Sequence, residues 1–389
     1  MVIMNSRLFL AKQMTRLVSM LSGIVAAFLV TAFQGLPQAN AQPASQADRQ
    51  TQNVIVITLD GLRWQELFGG ADQRLMSSDG GGVKDEDALR TRFWRESAVA
   101  RREQLMPFFW STIVPQGQVF GDPDHGSIAT VTNGRFFSYP GYNEILCGFG
   151  DPAIDSNDKK PNPNVSVLEF LNRMPQYEGR VAAWGSWDVF PYILHEERSK
   201  VFVNAGWEPI VAEGSADQWL VHLDQVAREL PHVWPSVRYD VFTLHGALAH
   251  MKSAKPRVLY VALGETDDWA HEGRYDLYLD AAQRNDQYIR TLWETAQSLP
   301  FYANKTSLVI TTDHGRGDGR EGWKSHGTEY PGSDRIWIAV MGPDTQAQGL
   351  RENLDVTQAQ VAATVASLLG EDFTELDPRI AKPLPGVTK

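Results

Sequence analysis

The chain has 389 residues, with 36 lysines and arginines against 47 aspartates and glutamates, a formal net charge of −11. Such a surface argues against a nucleic-acid polymer or an anionic membrane as partner, and an anionic substrate would need a locally positive site. One cysteine, Cys147, excludes an internal disulfide, so the core alone must hold the fold.

Arg7, Lys12 and Arg16 precede an apolar run at 17–33, and Ala39-Asn40-Ala41 follows it. This is the layout of a secretory signal cleaved after Ala41. A single membrane anchor is the competing reading; the run is marginal for a span and contains Gly23. The expectation is an exported protein, periplasmic or secreted, with no stable membrane insertion after cleavage. Taking the signal's three basic residues from 36 leaves 33 against all 47 acids, a net charge of −14 for 42–389. Residues 42–51 (QPASQADRQT) read as a polar, flexible leader. Residues 52–389 read as a single catalytic domain with loop insertions.

Five apolar, β-branched runs follow: NVIVITLDG (53–61), RVAAWGSWD (180–188), RVLYVALGETDD (257–268), TSLVITTDHG (306–315) and RIWIAVMGP (335–343). Helical patterns lie between and after them at 164–174, 217–231, 239–253, 278–299 and 356–370. Segments 69–95 and 148–164 read as loops or small excursions. Near-continuous apolar strands alternating with helices predict an α/β fold, a doubly wound, mostly parallel sheet with helices on both faces.

Ligands of such sheets sit beyond the carboxyl ends of the strands. Three of the five runs bring the candidate acids there: Asp60, then Asp267 beside Asp268, then Asp313. Asp267 and His271 are four apart and share a helix face or a tight turn. Asp313 is followed by His314, and His326 comes after a glycine-rich loop. Three carboxylates and three imidazoles exceed one metal's needs and suit two divalent ions with N/O ligation. Zinc fits an exported setting best, with manganese as the alternative. The other six histidines (125, 195, 222, 232, 245 and 250) are assigned no role. Ser138, in RFFSYPGYNEILCG (135–148), stands before Pro140 and a predicted helix. It reads equally as a helix N-cap or as a nucleophile whose hydroxyl is activated by a nearby cation.

The ordered set of LDG, S-Y-P-G-Y, D-x-x-x-H, DHG and a later H-G resembles the alkaline phosphatase superfamily. It is most similar to the type I phosphodiesterase/nucleotide pyrophosphatase and metal-dependent phosphatase branch, and the resemblance spans roughly 52–345. It implies that Asp267, His271 and His326 hold one ion. Asp60, Asp313 and His314 would hold the other, completed by Ser138. It implies Ser138 as the nucleophile of a covalent phospho-enzyme. It also implies a phosphate-contacting asparagine about twenty residues later, Asn157 or Asn162. Lys159, Lys160, Arg316, Arg320 and Lys324 are further candidates for phosphate oxygens. Sulfatases of the superfamily carry a C/S-x-P-x-R signature; here Tyr142 stands in the arginine's place, which disfavours the formylglycine route. The function expected is hydrolysis of a small phosphorylated substrate, a phosphomonoester or phosphodiester. The alternatives are a sulfate or phosphonate ester hydrolase on the same site, or a non-catalytic metal-stabilised binding protein. Specificity would lie in the loops at 69–95, 148–164 and 190–215.

Overall fold

Strand β1 (Asn53–Leu59) is buried along its whole length, and its side chains divide by parity. Val54 and Val56 enter one apolar cluster, and Ile55, Ile57 and Leu59 enter the other. A strand that is apolar on both sides needs cover on both, and the computed structural model, which describes residues 49–211 and 217–388, supplies it. The expected signal at 1–41 lies outside the described residues.

The other strands of the main sheet are β2 (Gly117–Phe120), β3 (Val181–Gly185), β4 (Phe202–Ala205), β5 (Val258–Leu263), β6 (Thr306–Thr311), β7 (Ile338–Met341) and β8 (Gly349–Leu350). Their order is β8-β2-β7-β6-β1-β5-β3-β4. β6, β1, β5, β3 and β4 pair in parallel, and β7 runs antiparallel to both β6 and β2. One face is covered by helices α2 (Asp240–Ser253) and α4 (Tyr275–Ser298). The other is covered by α1 (Ser138–Cys147), Val167–Asn172 and Gln360–Leu368. The doubly wound, mostly parallel α/β fold expected from the sequence is the one observed.

The differences have local causes. β2 and β4 have four residues each and β8 two, too short for a periodic signal. The fifth apolar run, expected in the parallel set, forms the antiparallel β7. The one helix in the link from β6 to β7 is the short Gly319–Gly322, so no long crossover helix returns the chain to a parallel start. Segment 69–95, read as loops or small excursions, is an excursion that contains the helix Glu86–Phe93. The leader expected to be flexible to residue 51 is docked at its described end. Arg49 donates to the Ser367 carbonyl at 2.6 Å, and the Thr51 N–H donates to Asp344 at 2.7 Å. No helix among the described residues is long and apolar enough to cross a membrane.

One close approach fixes α1 against the end of β6. A Cβ on Gly141 would lie 2.3 Å from the Asp313 carbonyl oxygen. Gly141→Ala should therefore destabilise the protein by about 1–3 kcal/mol in denaturant melts, the usual effect of overpacking. Gly69→Ala, where a Cβ meets nothing within 4 Å, should stay within about 0.5 kcal/mol of the parent.

Candidate functional site

Three adjacent strands, β6, β1 and β5, bring their carboxyl ends to one rim. β1 delivers Asp60 directly, and β6 delivers Asp313 and His314 two and three residues after its end. β5 stops at Leu263, and Gly264 leads into helix α3 (Glu265–His271). Asp267 therefore comes from a helix, and not from the strand run that the sequence predicts through 268. The buried Asp240 carboxylate caps α3 by accepting the N–H groups of Gly264 at 2.7 Å and Glu265 at 3.2 Å. Glu265 in turn accepts the Asp240 N–H at the start of α2, at 2.9 Å. Helical spacing then places Asp267 and His271 on one face.

The six residues gather as two neighbouring triads. In the first, Asp267, His271 and His326 offer ligand atoms that all lie within 4.8 Å of one another. His271 Nε2 is 3.2 Å from Asp267 Oδ2 and 3.0 Å from His326 Nε2. In the second, Asp60, Asp313 and His314 meet the same limit. His314 Nε2 is 3.4 Å from Asp60 Oδ1 and 3.3 Å from Asp313 Oδ2. His314 Nε2 is also 3.8 Å from Asp267 Oδ1, and the His314 and His326 rings lie 3.9 Å apart, so the triads adjoin.

The surrounding donors decide which atoms stay available. His314 Nδ1–H donates to the Gly315 carbonyl at 2.9 Å, and His326 Nδ1–H to the Phe136 carbonyl at 3.2 Å. Each Nε2 is thereby left as a bare lone pair, the tautomer a metal requires. The Tyr142 hydroxyl donates to Asp60 Oδ2 at 2.8 Å, and the Gly61 N–H to Asp313 Oδ1 at 3.1 Å. Arg316 donates to Asp267 Oδ1. Asp60 Oδ1 and Asp313 Oδ2 are buried and have no hydrogen-bond partner. Two orphaned carboxylate oxygens aimed at a lone pair are expensive without a cation. This N/O donor set fits two borderline divalent ions, one for each triad.

Electrostatics agrees. Burial, then the Asp267 charge, pushes the Asp60 carboxyl well above its ordinary range. Burial, then Asp60, does the same to Asp313. Burial also works against the charge of Asp267, but Arg316, followed by His271 and His326, outweighs it and holds that carboxyl well below its usual range. Burial and neighbouring His314 hold His326 well below the ordinary imidazole value.

Ser138 is the first residue of α1, and its side chain does not cap the helix; Phe137 is the N-cap. Its hydroxyl is buried and points at the second triad, 3.4 Å from His314 Nε2. Phe136, just before it, has φ 58°, a left-handed conformation that costs a bulky residue about 1–2 kcal/mol. That conformation belongs to the residue whose carbonyl orients His326.

Of the residues expected to touch phosphate, Asn157 lies beside the start of α1: its Oδ1 accepts the N–H of Tyr139, the residue after Ser138, at 3.0 Å. Asn162 does not reach the rim. It is fully buried and donates to Asn143 Oδ1 at 3.1 Å, because packing behind α1 consumes its amide. Lys324 pairs with Glu321 at 3.0 Å, Arg320 with Asp79 and Lys159 with Asp188 at 2.7 Å. Arg316, one of the candidates for phosphate oxygens, is fully buried and faces Asp267. Sequence reasoning missed the orienting roles of Tyr142 and Arg316. Tyr142 follows Ser138 by one helical turn, and that spacing was the available signal.

No protein-family description and no curated protein sequence matches the chain. Solved structures do. A mutant of the alkaline phosphatase PafA superimposes with a TM-score of 0.55 at 10% identity, covering 90% of this chain and 100% of that one. A protein of the alkaline phosphatase superfamily from Vibrio parahaemolyticus gives 0.52 at 13% identity, covering 87% of this chain and 70% of that one. A 2-O GAG sulfatase gives 0.50 at 12%, covering 86% and 72%. The chain has the fold of the alkaline phosphatase superfamily.

Tyr142→Phe should weaken zinc binding about 10–100-fold, read by calorimetric titration, because Asp60 loses the donor that orients it. The zinc-induced rise in Tm should be small at pH 5 and grow toward pH 8. Protons compete for Asp60 and Asp313, whose raised values keep them protonated in the metal-free fold to higher pH than in the unfolded chain. A Tm rise that shrank with pH would contradict this.

Proposed function

We propose that the chain is an exported, two-metal hydrolase of phosphate esters that works through a covalent phosphoseryl intermediate on Ser138. The reading is carried by one observation: the Ser138 hydroxyl lies 3.4 Å from His314, at the edge of two adjoining Asp/His triads. Asp267, His271 and His326 would hold one ion, and Asp60, Asp313 and His314 the other, beside Ser138. Zinc suits the mixed N/O donors, and manganese is the alternative. Such ions, when bound, supply positive charge to the attacking and departing oxygens and lower the pKa of a neighbouring hydroxyl.

The chain's own residues do the rest. α1 fixes the Ser138 oxygen where it can attack phosphorus; the Ser–O–P bond forms as the bond to the departing alcohol breaks, the serine proton being given up to solvent and the departing oxygen taking one from it. Water then cleaves the phosphoseryl bond, restoring the hydroxyl and releasing phosphate from a monoester or a phosphomonoester from a diester. Asn157, held against the first turn of α1, is the side chain best placed to receive a phosphoryl oxygen. Bound Asp60 leaves Tyr142 committed, so this tyrosine does not substitute for the arginine of a sulfatase signature. That favours phosphate over sulfate esters, although a sulfatase shares the fold. The signal layout at 1–41 supports export.

The test compares p-nitrophenyl phosphate, bis-p-nitrophenyl phosphate and p-nitrophenyl sulfate, using zinc-loaded protein and its Ser138→Ala variant. At least one phosphate ester should be turned over and the sulfate should not. Ser138→Ala should lower kcat by about a thousandfold or more. Parent-like turnover by Ser138→Ala, or turnover unaffected by chelation, would contradict the reading. Preferential hydrolysis of the sulfate would move the assignment to sulfate esters.

A further inference from the structure

Arg316 follows His314 by two residues and is fully buried. Its Nε donates to the Trp323 carbonyl at 2.7 Å and its Nη2 to the Lys324 carbonyl at 2.6 Å. Its Nη1 donates to Asp267 Oδ1. One planar group thus ties three segments together: the corner after β6, helix α3, and the loop two residues before His326. Asp267 Oδ2 is left facing His271, 3.2 Å from its Nε2. Gly61 closes the arrangement from above. It has φ 60°, and a Cβ there would lie 2.7 Å from Asp267 Oδ1 and 2.8 Å from Arg316 Nη1. The glycine of the LDG run is therefore the residue that gives this ion pair its room.

We propose that Arg316 is the positioning residue that assembles the Asp267-His271-His326 half of the site. It fixes Asp267 as a one-oxygen ligand and holds the loop that presents His326. The inference rests on the two-metal reading above. A role as phosphate clamp is excluded by the geometry, since Nε, Nη1 and Nη2 all donate to protein and the side chain has no exposed surface. The other triad is oriented by different groups, the Tyr142 hydroxyl and the Gly61 N–H. Arg316 therefore acts on one ion more than on the other. A lysine cannot replace it, because an ammonium has the charge but not the fork that reaches two carbonyls and a carboxylate together.

The experiment counts zinc by elemental analysis after dialysis against a weak chelator, in the parent, Arg316→Met and Arg316→Lys, with circular dichroism as the folding control. The parent should retain two ions per chain. Both variants should retain one, and should bind the second at least tenfold more weakly in a zinc titration. Hydrolysis by the variants should recover as free zinc is raised, with the zinc requirement shifted upward. If Arg316→Met does not fold, Arg316→Lys decides. A variant holding two ions with parent affinity would overturn the role of Arg316 while leaving the hydrolase reading intact. Loss of both ions to the same extent would also overturn it, since Arg316 would then serve the whole fold. A parent that takes up no zinc would overturn the two-metal reading and this inference with it.

Discussion

The constraint on which this structure turns is the burial of three carboxylates in one space. Asp60 and Asp313 follow neighbouring strand ends and Asp267 comes from helix α3 beside them; burial and the neighbouring carboxylates oppose the ionisation of Asp60 and Asp313. Only Asp267 has a guanidinium against it. The other two each have one oxygen tied by a neutral donor and one left bare. A protein interior tolerates such groups when something positive completes them. Imidazole nitrogens with their lone pairs aimed into the same space make a divalent ion the natural complement.

Much of the surrounding architecture serves that arrangement. β1 lies between β6 and β5, so three segments distant in sequence end side by side. The reciprocal caps of Asp240 and Glu265 set the start of α3, and with it the direction of Asp267 and His271. Burial and Glu265 push the Asp240 carboxyl up to about 7, a sign of how closely these acids are packed behind the rim. α1 is seated on the Asp313 backbone by a glycine, so Ser138 and the Asp313-His314 corner are packed together. The left-handed Phe136 places a carbonyl where His326 needs an acceptor, and strain of this kind gathers where side-chain direction matters.

The sheet's central strands were legible because each is a long, doubly buried apolar run, and all five predicted runs contain strands. Asp60, Asp313 and His314 were legible because a charge at the end of such a run has no reason to be there in a pure core. The pairing of Asp267 with His271 followed from helical spacing alone. Short strands such as Gly117–Phe120 and Phe202–Ala205 were invisible because four residues hold no period. Arg316 and Asn162 could be read only as candidates for phosphate, for a common reason. Sequence shows that a polar side chain exists, but not whether its donors are spent on nearby backbone and amide groups before a ligand arrives. Tyr142 shows the reverse case: a residue noticed for what it replaces turned out to matter for what it touches.

The most direct test of the central claim is anomalous diffraction at the zinc edge from crystals of the zinc-loaded protein. The account predicts two peaks, one among Asp267, His271 and His326 and one among Asp60, Asp313 and His314, the latter beside the Ser138 hydroxyl. A map with no anomalous density between these side chains, or with zinc bound only elsewhere on the surface, would contradict it.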